Sequence, residues 1–486
     1  MPAPGVPVIE GERRAGGSRQ AGEVDTAMFV GPALRGPVDR PIELTSPAEI
    51  AYWVGEPFGG SHLVRSLLSY FADCGEKGGR AFVVRPADAT ATTAKADVPG
   101  AGNAPVLKLE ADGPGAWANS LTLAVAAGSA GRVLLTLKES GVTKVTVEAG
   151  STQEAIARLA TPGLIRVEAG SAAWPPTVTQ ANTPIAMAGG VSADAAVTDA
   201  NVVTALGLFG RSLGPGTIAA PGYTSALVRE ALFRHGRTFG RHVLADLPDI
   251  ADTATLVATA ASVRALDSEK AGRYGQLLWP WEVVTIGPYV NVNVPPSAGQ
   301  AGRLARTDRN HPQRHARAAA GPQVTSNISI DVTRVPTDAD WDLLADAGIT
   351  VIRKEPEGVC AMDAITVVDP QRWPQYYFAS GHRTIMAIID QARAAVRTYL
   401  FTALDGDGVR LETIRGVVEN VCKPYSEEPL SGLFSVDGDR GYSVTITSTS
   451  AEIEAGKVRV QLSLRTSPSV RMVVIEFTAV AVRDRL

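Results

Sequence analysis

Between Thr198 and Ile286 the chain alternates short apolar runs with stretches of helical period, and few architectures accept that order. IAA (218–220), HVLAD (242–246) and QLLWPWEVVTI (276–286) read as buried strands. Between them, a helix from Thr224 carries Leu227, Val228, Ala231 and Leu232 on one side, and a second helix spans 252–266. A helix between two strands returns the chain to the same edge of a sheet, so the strands run parallel. The pattern predicts a mainly parallel, helix-covered α/β sheet at the centre of the molecule.

The rest of the chain departs from this alternation in ways that mark boundaries. Residues 1–25 mix Pro, Gly and charge without a helical period, yet Val6, Val8 and Glu10 alternate as a short strand would, so a detached N-terminal arm is expected. Residues 26–95 return to α/β text. An apolar strand (Met28 to Val30) meets a Gly31-Pro32 turn, a helix starts at Ser46-Pro47 with Glu49 three residues on, a helix covers His62 to Cys74, and a strand runs from Arg80 to Arg85. Residues 96–190 change character. LTLAV (121–125), RVLLTL (132–137) and TKVTVEA (143–149) alternate between Gly-containing turns, beside a short helix near Gln153 to Leu159, so they read as an inserted antiparallel β-module. The central α/β part then occupies 191–373 and a C-terminal α+β domain 374–468. In that last domain a helix over 383–399 is expected to bury Ile385, Ile388, Ile389, Ala392 and Val396, and a second runs from Arg410 to Cys422. Only strands are expected after it: SVTITS (443–448), KVRVQLSLR (457–465) and SVRMVVIEFTAVAV (469–482), the last opening a C-terminal arm over 469–486. The last is apolar on both faces around Val473, Val474, Ile475 and Phe477, which in isolation makes an aggregation-prone edge. A partner chain is needed to cover it.

Composition narrows the function classes. With 486 residues the chain is long enough for two to four domains. Lys and Arg number 46 against 50 Asp and Glu, a formal charge of −4 that does not favour nucleic acid or an anionic membrane. The uncharged run Gly113 to Gly131 holds too many Gly, Pro, Ser and Asn to span a bilayer. Glu10, Glu12, Arg13 and Arg14 interrupt any apolar leader, so the chain is expected to stay where it is made or leave by lysis. Cys74, Cys360 and Cys422 are three and far apart, which reads as reduced core cysteines.

Motifs for catalysis and cofactors fail on inspection. Gly214-Pro215-Gly216 to Ala219 and Gly113-Pro114-Gly115 to Ala118 match a loose dinucleotide pattern but read as turns, with no acidic partner at the required spacing. His311 and His315 are four apart, but Pro312 and Gln313 stand where a metalloprotease carries its Glu, amid five arginines. Asp405 to Gly408 begins like a calcium loop, yet Val409 and Gly416 stand at ligand places. PGYTSALV (221–228) echoes the nucleophile segment of subtilisin-type proteases. Those enzymes need Asp, His and Ser in that order, whereas Ser225 precedes His235, His242 and Asp246. Ser225 reads more simply as the first turn of a helix capped by Thr224. The arginines from Arg303 to Arg317 have no interleaved aromatics for base stacking and read as a solvated helix and loop.

Taken together, PGVPVIE (4–10), AMFVGPALRGPVDRPIELTSPAEI (27–50) and FGGSHLVRSLLSYFADCGEKGGRAFVVR (58–85) resemble the start of contractile-tail sheath proteins. GAWANSL (115–121) is similar to the element heading that family's inserted module, with Ala118 in place of the usual Gly. PGYTSALV, DLP (246–248), Pro280-Trp281 and VPPSAGQAGRLARTD (294–308) resemble its central domain, called subtilisin-like for its fold, and the helix from Arg383 with the terminal strands resembles its C-terminal domain. RNHPQRHARAAAG (309–321) departs from the family pattern, so contacts of that loop do not transfer.

The resemblance implies a structural, non-enzymatic subunit without cofactors. It would polymerise as stacked hexameric rings around an inner tube and contract to drive the tube through a cell envelope. Arms are swapped between subunits by β-augmentation, which places Val6, Val8, Val473, Val474, Ile475 and Phe477 in inter-subunit contacts. The C-terminal domain would face the tube through the helix bearing Arg393 and Arg397. Implied partners are neighbouring sheath subunits, the inner tube protein, and baseplate and tail terminator proteins, with no direct nucleic acid and no membrane insertion. Assembly is expected in the bacterial cytoplasm, into a phage tail or injection particle. Two other readings stay open on the residues: an α/β hydrolase-like enzyme using Ser225, and a non-contractile self-assembling tube or surface-layer protein.

Overall fold

The computed structural model describes residues 24–179, 183–192, 194–266, 271–404 and 408–471. Its main sheet has eight strands in the order Gly358–Ala361, Ile349–Glu355, Gly275–Trp279, His242–Asp246, Thr217–Ala219, Ala27–Val30, Ala81–Val84 and Ile42–Leu44. The six inner strands are parallel. Both edge strands, Gly358–Ala361 and Ile42–Leu44, run antiparallel, so the sheet is mixed. Ala27–Val30 sits between Thr217–Ala219 and Ala81–Val84, which places residues 26–95 and 191–373 in one sheet.

Strands such as Ala27–Val30, Ala81–Val84 and Gly275–Trp279 are buried at every position because both faces of the sheet are covered. Successive side chains point to opposite faces, so each strand feeds two cores. Met28, Val30, Ile218, Val243 and Leu277 pack under the helices Asp199–Leu206, Ala226–Phe239, Thr253–Arg264 and Asp338–Asp346. Ala27, Phe29, Ala219, Leu244 and Leu278 pack under Leu63–Cys74 and Pro296–Asn310. These last two helices approach closely: a Cβ on Gly302 would lie 2.5 Å from the Tyr70 carbonyl oxygen, so only glycine fits there.

The segment beginning at Lys95 forms a separate layer. One sheet holds Lys95–Pro99, Pro105–Ala111 and Ile165–Ala169; the other holds Ile185–Ala186, Leu121–Ala127, Val133–Glu139 and Val142–Ala149. Both are antiparallel, and with the helix Thr152–Leu159 they enclose a core of their own. Bridges Thr92 to Val191 and Lys95 to Ala188 close its neck. Asp112, almost fully buried, ties it to the body by accepting from Arg40 at 2.7 Å, and is held within the layer by Arg166 at 2.9 Å and the Gly163 amide at 2.7 Å.

Two expectations need correction. The run 276–286 holds two strands in two sheets, Gly275–Trp279 in the main one and Glu282–Ile286 in a three-stranded antiparallel sheet with Tyr289–Val294 and Ser329–Val332. Nor are there only strands after Cys422: a short helix, Ser450–Glu454, joins Tyr442–Ile446 to Val460–Leu464 and is capped reciprocally by Thr449 and Glu452.

Candidate assembly surface

The C-terminal module has little core of its own. Helices Ala379–Val396 and Val409–Cys422 enclose Ala387, Ile388, Cys422, Tyr425 and Leu433, joined by Val24 from the start of the described chain. Its sheet is the two-stranded hairpin Tyr442–Ile446 with Val460–Leu464. Val444 faces Leu462 and Tyr442 faces Leu464 on an apolar side that alternates with Ser443, Thr445, Gln461 and Ser463. Of these apolar residues Val444 is buried, while Tyr442, Leu462 and Leu464 are half-covered. A two-stranded sheet is marginal in water, and each outer edge offers unpaired backbone groups to another strand.

Helix Ala379–Val396 presents different faces to different neighbours. Ala387 and Ile388 enter the core, whereas Ile385 and Ile389, expected to be buried, line a groove of about 360 Å³ with Arg393, Leu462 and Leu464. Ile389 remains 37% exposed. The helix ends at Val396, short of the expected 399, and Arg393 and Arg397 are both exposed. Just beyond, Phe401 is 97% exposed with φ near +64°, a conformation a bulky side chain rarely adopts. Val6, Val8, Val473, Val474, Ile475 and Phe477 lie outside the described residues.

The helix that sequence patterning misread as solvated lies inside the body, and its Asp308 accepts from Arg383 of this module. Pro296–Asn310 is buried along nearly its whole length. Arg303, fully buried, donates to Asp73 at 3.0 Å, to Glu282 at 2.6 Å and to Gln300 at 2.9 Å. Asp73 also accepts from Ser326 and from the Asn327 amide, yet burial pushes its carboxyl up to about 6. Arg306 bonds Asn327 and Thr325, and Arg309 bonds Asp25 and the Gly78 carbonyl. The signal for burial was present in the small residues Ala298, Gly299, Ala301, Gly302 and Ala305, which let this helix lie against Leu63–Cys74.

The residues of the hydrolase reading are each engaged elsewhere. Ser225 is itself the N-cap, in place of Thr224, and accepts from the Val228 amide at 3.3 Å, an arrangement worth about 1 kcal/mol to the helix. His235 contacts Arg241 at 2.6 Å and is held down to about 3 by burial and by that cation. His242 bonds Gln276 at 3.0 Å. Asp246 accepts from the Ser297 amide and hydroxyl and from the Gly222 amide, while burial pushes it up to about 7. The arrangement gives Ser225 a capping role. Among the described residues, no helix is long and apolar enough to cross a membrane.

Compared by sequence, the chain matches no protein-family model and no curated protein. Compared by structure, it is similar along nearly its full length to several solved chains. The sheath tail protein of Listeria innocua shares 14% identity with a TM-score of 0.59, over 91% of this chain and 95% of that one. The sheath tail protein of Desulfitobacterium hafniense shares 14% with a TM-score of 0.54, over 91% and 93%. The helical sheath of the anti-feeding prophage in its contracted state shares 15% with a TM-score of 0.55, over 98% and 99%. The likeness extends over more than nine tenths of each chain, and this chain has the fold of contractile-tail sheath subunits.

Proposed function

We propose that this protein is a contractile sheath subunit that polymerises as stacked hexameric rings around an inner tube, and that its contraction drives the tube through a cell envelope. The observation that carries this reading is structural likeness to sheath chains, some solved in contracted assemblies, over almost the whole length of both partners. The half-covered hairpin supports it, since strands from neighbouring chains would complete that sheet. The N-terminal arm with Val6 and Val8 and the C-terminal arm with Val473, Val474, Ile475 and Phe477 are the strands assigned to this task. A head-to-tail contact whose rotation does not close on itself yields a helical polymer. The particle would assemble in the bacterial cytoplasm as a phage tail or injection system, with baseplate and tail terminator proteins at its ends and energy stored kinetically in the extended state.

The purified chain, imaged by negative-stain electron microscopy, is expected to form hollow, striated tubes. Uniform monomers at every concentration tried would remove intrinsic polymerisation from the reading. The tube-facing surface is assigned to Arg393 and Arg397, with Leu400 and Phe401 as an apolar tip beside them. Reversing both charges, Arg393→Glu with Arg397→Glu, is expected to lower copolymerisation with the cognate tube protein at least tenfold and to leave sheath-only polymers intact. Equal loss of both would move these arginines to a sheath-to-sheath contact.

A further inference from the structure

The seam between the α/β body and the C-terminal module is filled with polar side chains whose hydrogen-bonding capacity is largely unmet. Helix Ala379–Val396 contributes His382 and Arg383, helix Pro296–Asn310 contributes Asp308, the turn Arg314–Ala316 contributes His315, and the strand His242–Asp246 begins with His242. All five are buried. Arg383 donates Nη2 to Asp308 Oδ2, and His242 Nε2 pairs with Gln276. Arg383 Nε and Nη1, Asp308 Oδ1, His242 Nδ1, His315 Nε2 and His382 Nδ1 have no hydrogen-bond partner among the described residues. Buried polar atoms are paired with protein groups or ordered water, and a concentration of titratable ones at one joint makes its closure sensitive to their protonation.

We propose that this seam is an acid-operated joint: at neutral pH the C-terminal module packs on the body over three neutral histidines, with Arg383 reaching Asp308 across the seam, and proton uptake by His242, His315 and His382 parts them. The surroundings leave an imidazolium no counterion. From the body the seam faces Arg309, already tied to Asp25, together with Arg273, Tyr274, Arg314 and Gln276; from the module it faces Arg383 and Tyr425. The carboxylate of Asp308 is already committed to Arg383. Burial first and the Arg383 charge second hold His242 and His315 down to about 3, and burial holds His382 well below its ordinary value.

The signs follow from linkage. A histidine that is neutral when closed and ordinary when open takes its proton on opening, so closure is fully stable above about pH 6.5 and weakens as the pH falls below it. Asp308 acts oppositely: burial raises it to about 6, so its protonation favours the closed form below that value. Three protons gained on opening against one lost leave a net of about two between pH 5.5 and 4, so the opening equilibrium rises by up to about a hundredfold per pH unit.

The joint belongs to the single chain and stands independently of the assembly reading. Hydrogen exchange of the full-length protein from pH 7 to 4, corrected for intrinsic rates, tests it. Opening of helix Ala379–Val396 is expected to rise steeply below pH 5.5 while the inserted strand Leu121–Ala127 keeps its protection. His315→Gln is expected to lower the dependence by about tenfold per pH unit, and His242→Gln serves the same purpose if the first variant does not fold. Equal slopes in wild type and variants would overturn the joint, as would simultaneous loss of protection in the helix and the inserted strand, which marks global acid unfolding.

Discussion

Arg303→Ala is expected to destabilise the α/β body by about 3–5 kcal/mol at pH 7.5, because it leaves Asp73 and Glu282 buried without their cation. The three side chains are almost wholly inaccessible to solvent, so water cannot replace the guanidinium. The loss is also expected to depend on pH. Burial already raises Asp73 to about 6, and removing Arg303 takes away the first cation that opposes that rise. A carboxyl raised above its unfolded value favours the fold at low pH and disfavours it as pH climbs through the folded value. The penalty should therefore be largest above neutrality and should shrink as the pH is lowered towards 4. Urea denaturation of wild type and variant at pH 7.5 and pH 5 measures both quantities. A loss below about 1 kcal/mol, the range of an exposed ion pair, would show that water reaches the cluster. A loss of the same size at both pH values would show that Asp73 does not take up a proton when its partner is gone.

How much of this was legible beforehand depends on which physical effect decides each element. HVLAD (242–246) and AFVV (81–84) were readable because strands covered on both faces carry an uninterrupted apolar centre, and the structure places them at His242–Asp246 and Ala81–Val84. Their neighbours in the sheet were not readable. Ala27–Val30 joins Thr217–Ala219 across almost two hundred residues of chain, a pairing settled by tertiary packing and not by local pattern. Arg303 was misplaced because residue type was weighed above context: arginine is seldom buried, but the small residues on the same helix indicated close packing that takes a paired cation inside. The helix Ser450–Glu454 was missed although Thr449 and Glu452 spell a capping box, because alternating residues on either side drew the reading towards strand. Ile389 was assigned to a core too small to receive it; the module buries Ala387 and Ile388 and turns the stripe of Ile385, Ile389 and Arg393 to the groove. The residues assigned to the arms follow a different logic, since in the proposed function another copy of the chain would cover their apolar faces.

Ending the chain after Arg471 is expected to abolish tube formation while leaving a folded monomer. The cut spares every described contact of the module: Arg471 remains bonded to Asp363 at 2.7 Å and to the Tyr377 hydroxyl at 2.8 Å, and Ser469 remains 3.0 Å from Ser380. The hairpin also remains, with Val444 opposite Leu462. What is removed is MVVIEFTAVAVRDRL (472–486), whose apolar part is assigned to a neighbour's sheet in the proposed function. Thermal unfolding of the truncated chain should match that of the full chain, and electron microscopy should show single particles where the full chain forms tubes. Tubes that persist would place the link between subunits elsewhere, the first candidate being the N-terminal arm. The described chain begins at the same module, where Val24 packs with Ala387, Ile388 and Leu433. Removing residues 1–23 preserves Val24 and the Asp25–Arg309 pair, so it isolates the second arm as cleanly as the first cut isolates the other. Loss of tubes in either truncation alone would mean that each arm supplies a connection the other cannot replace.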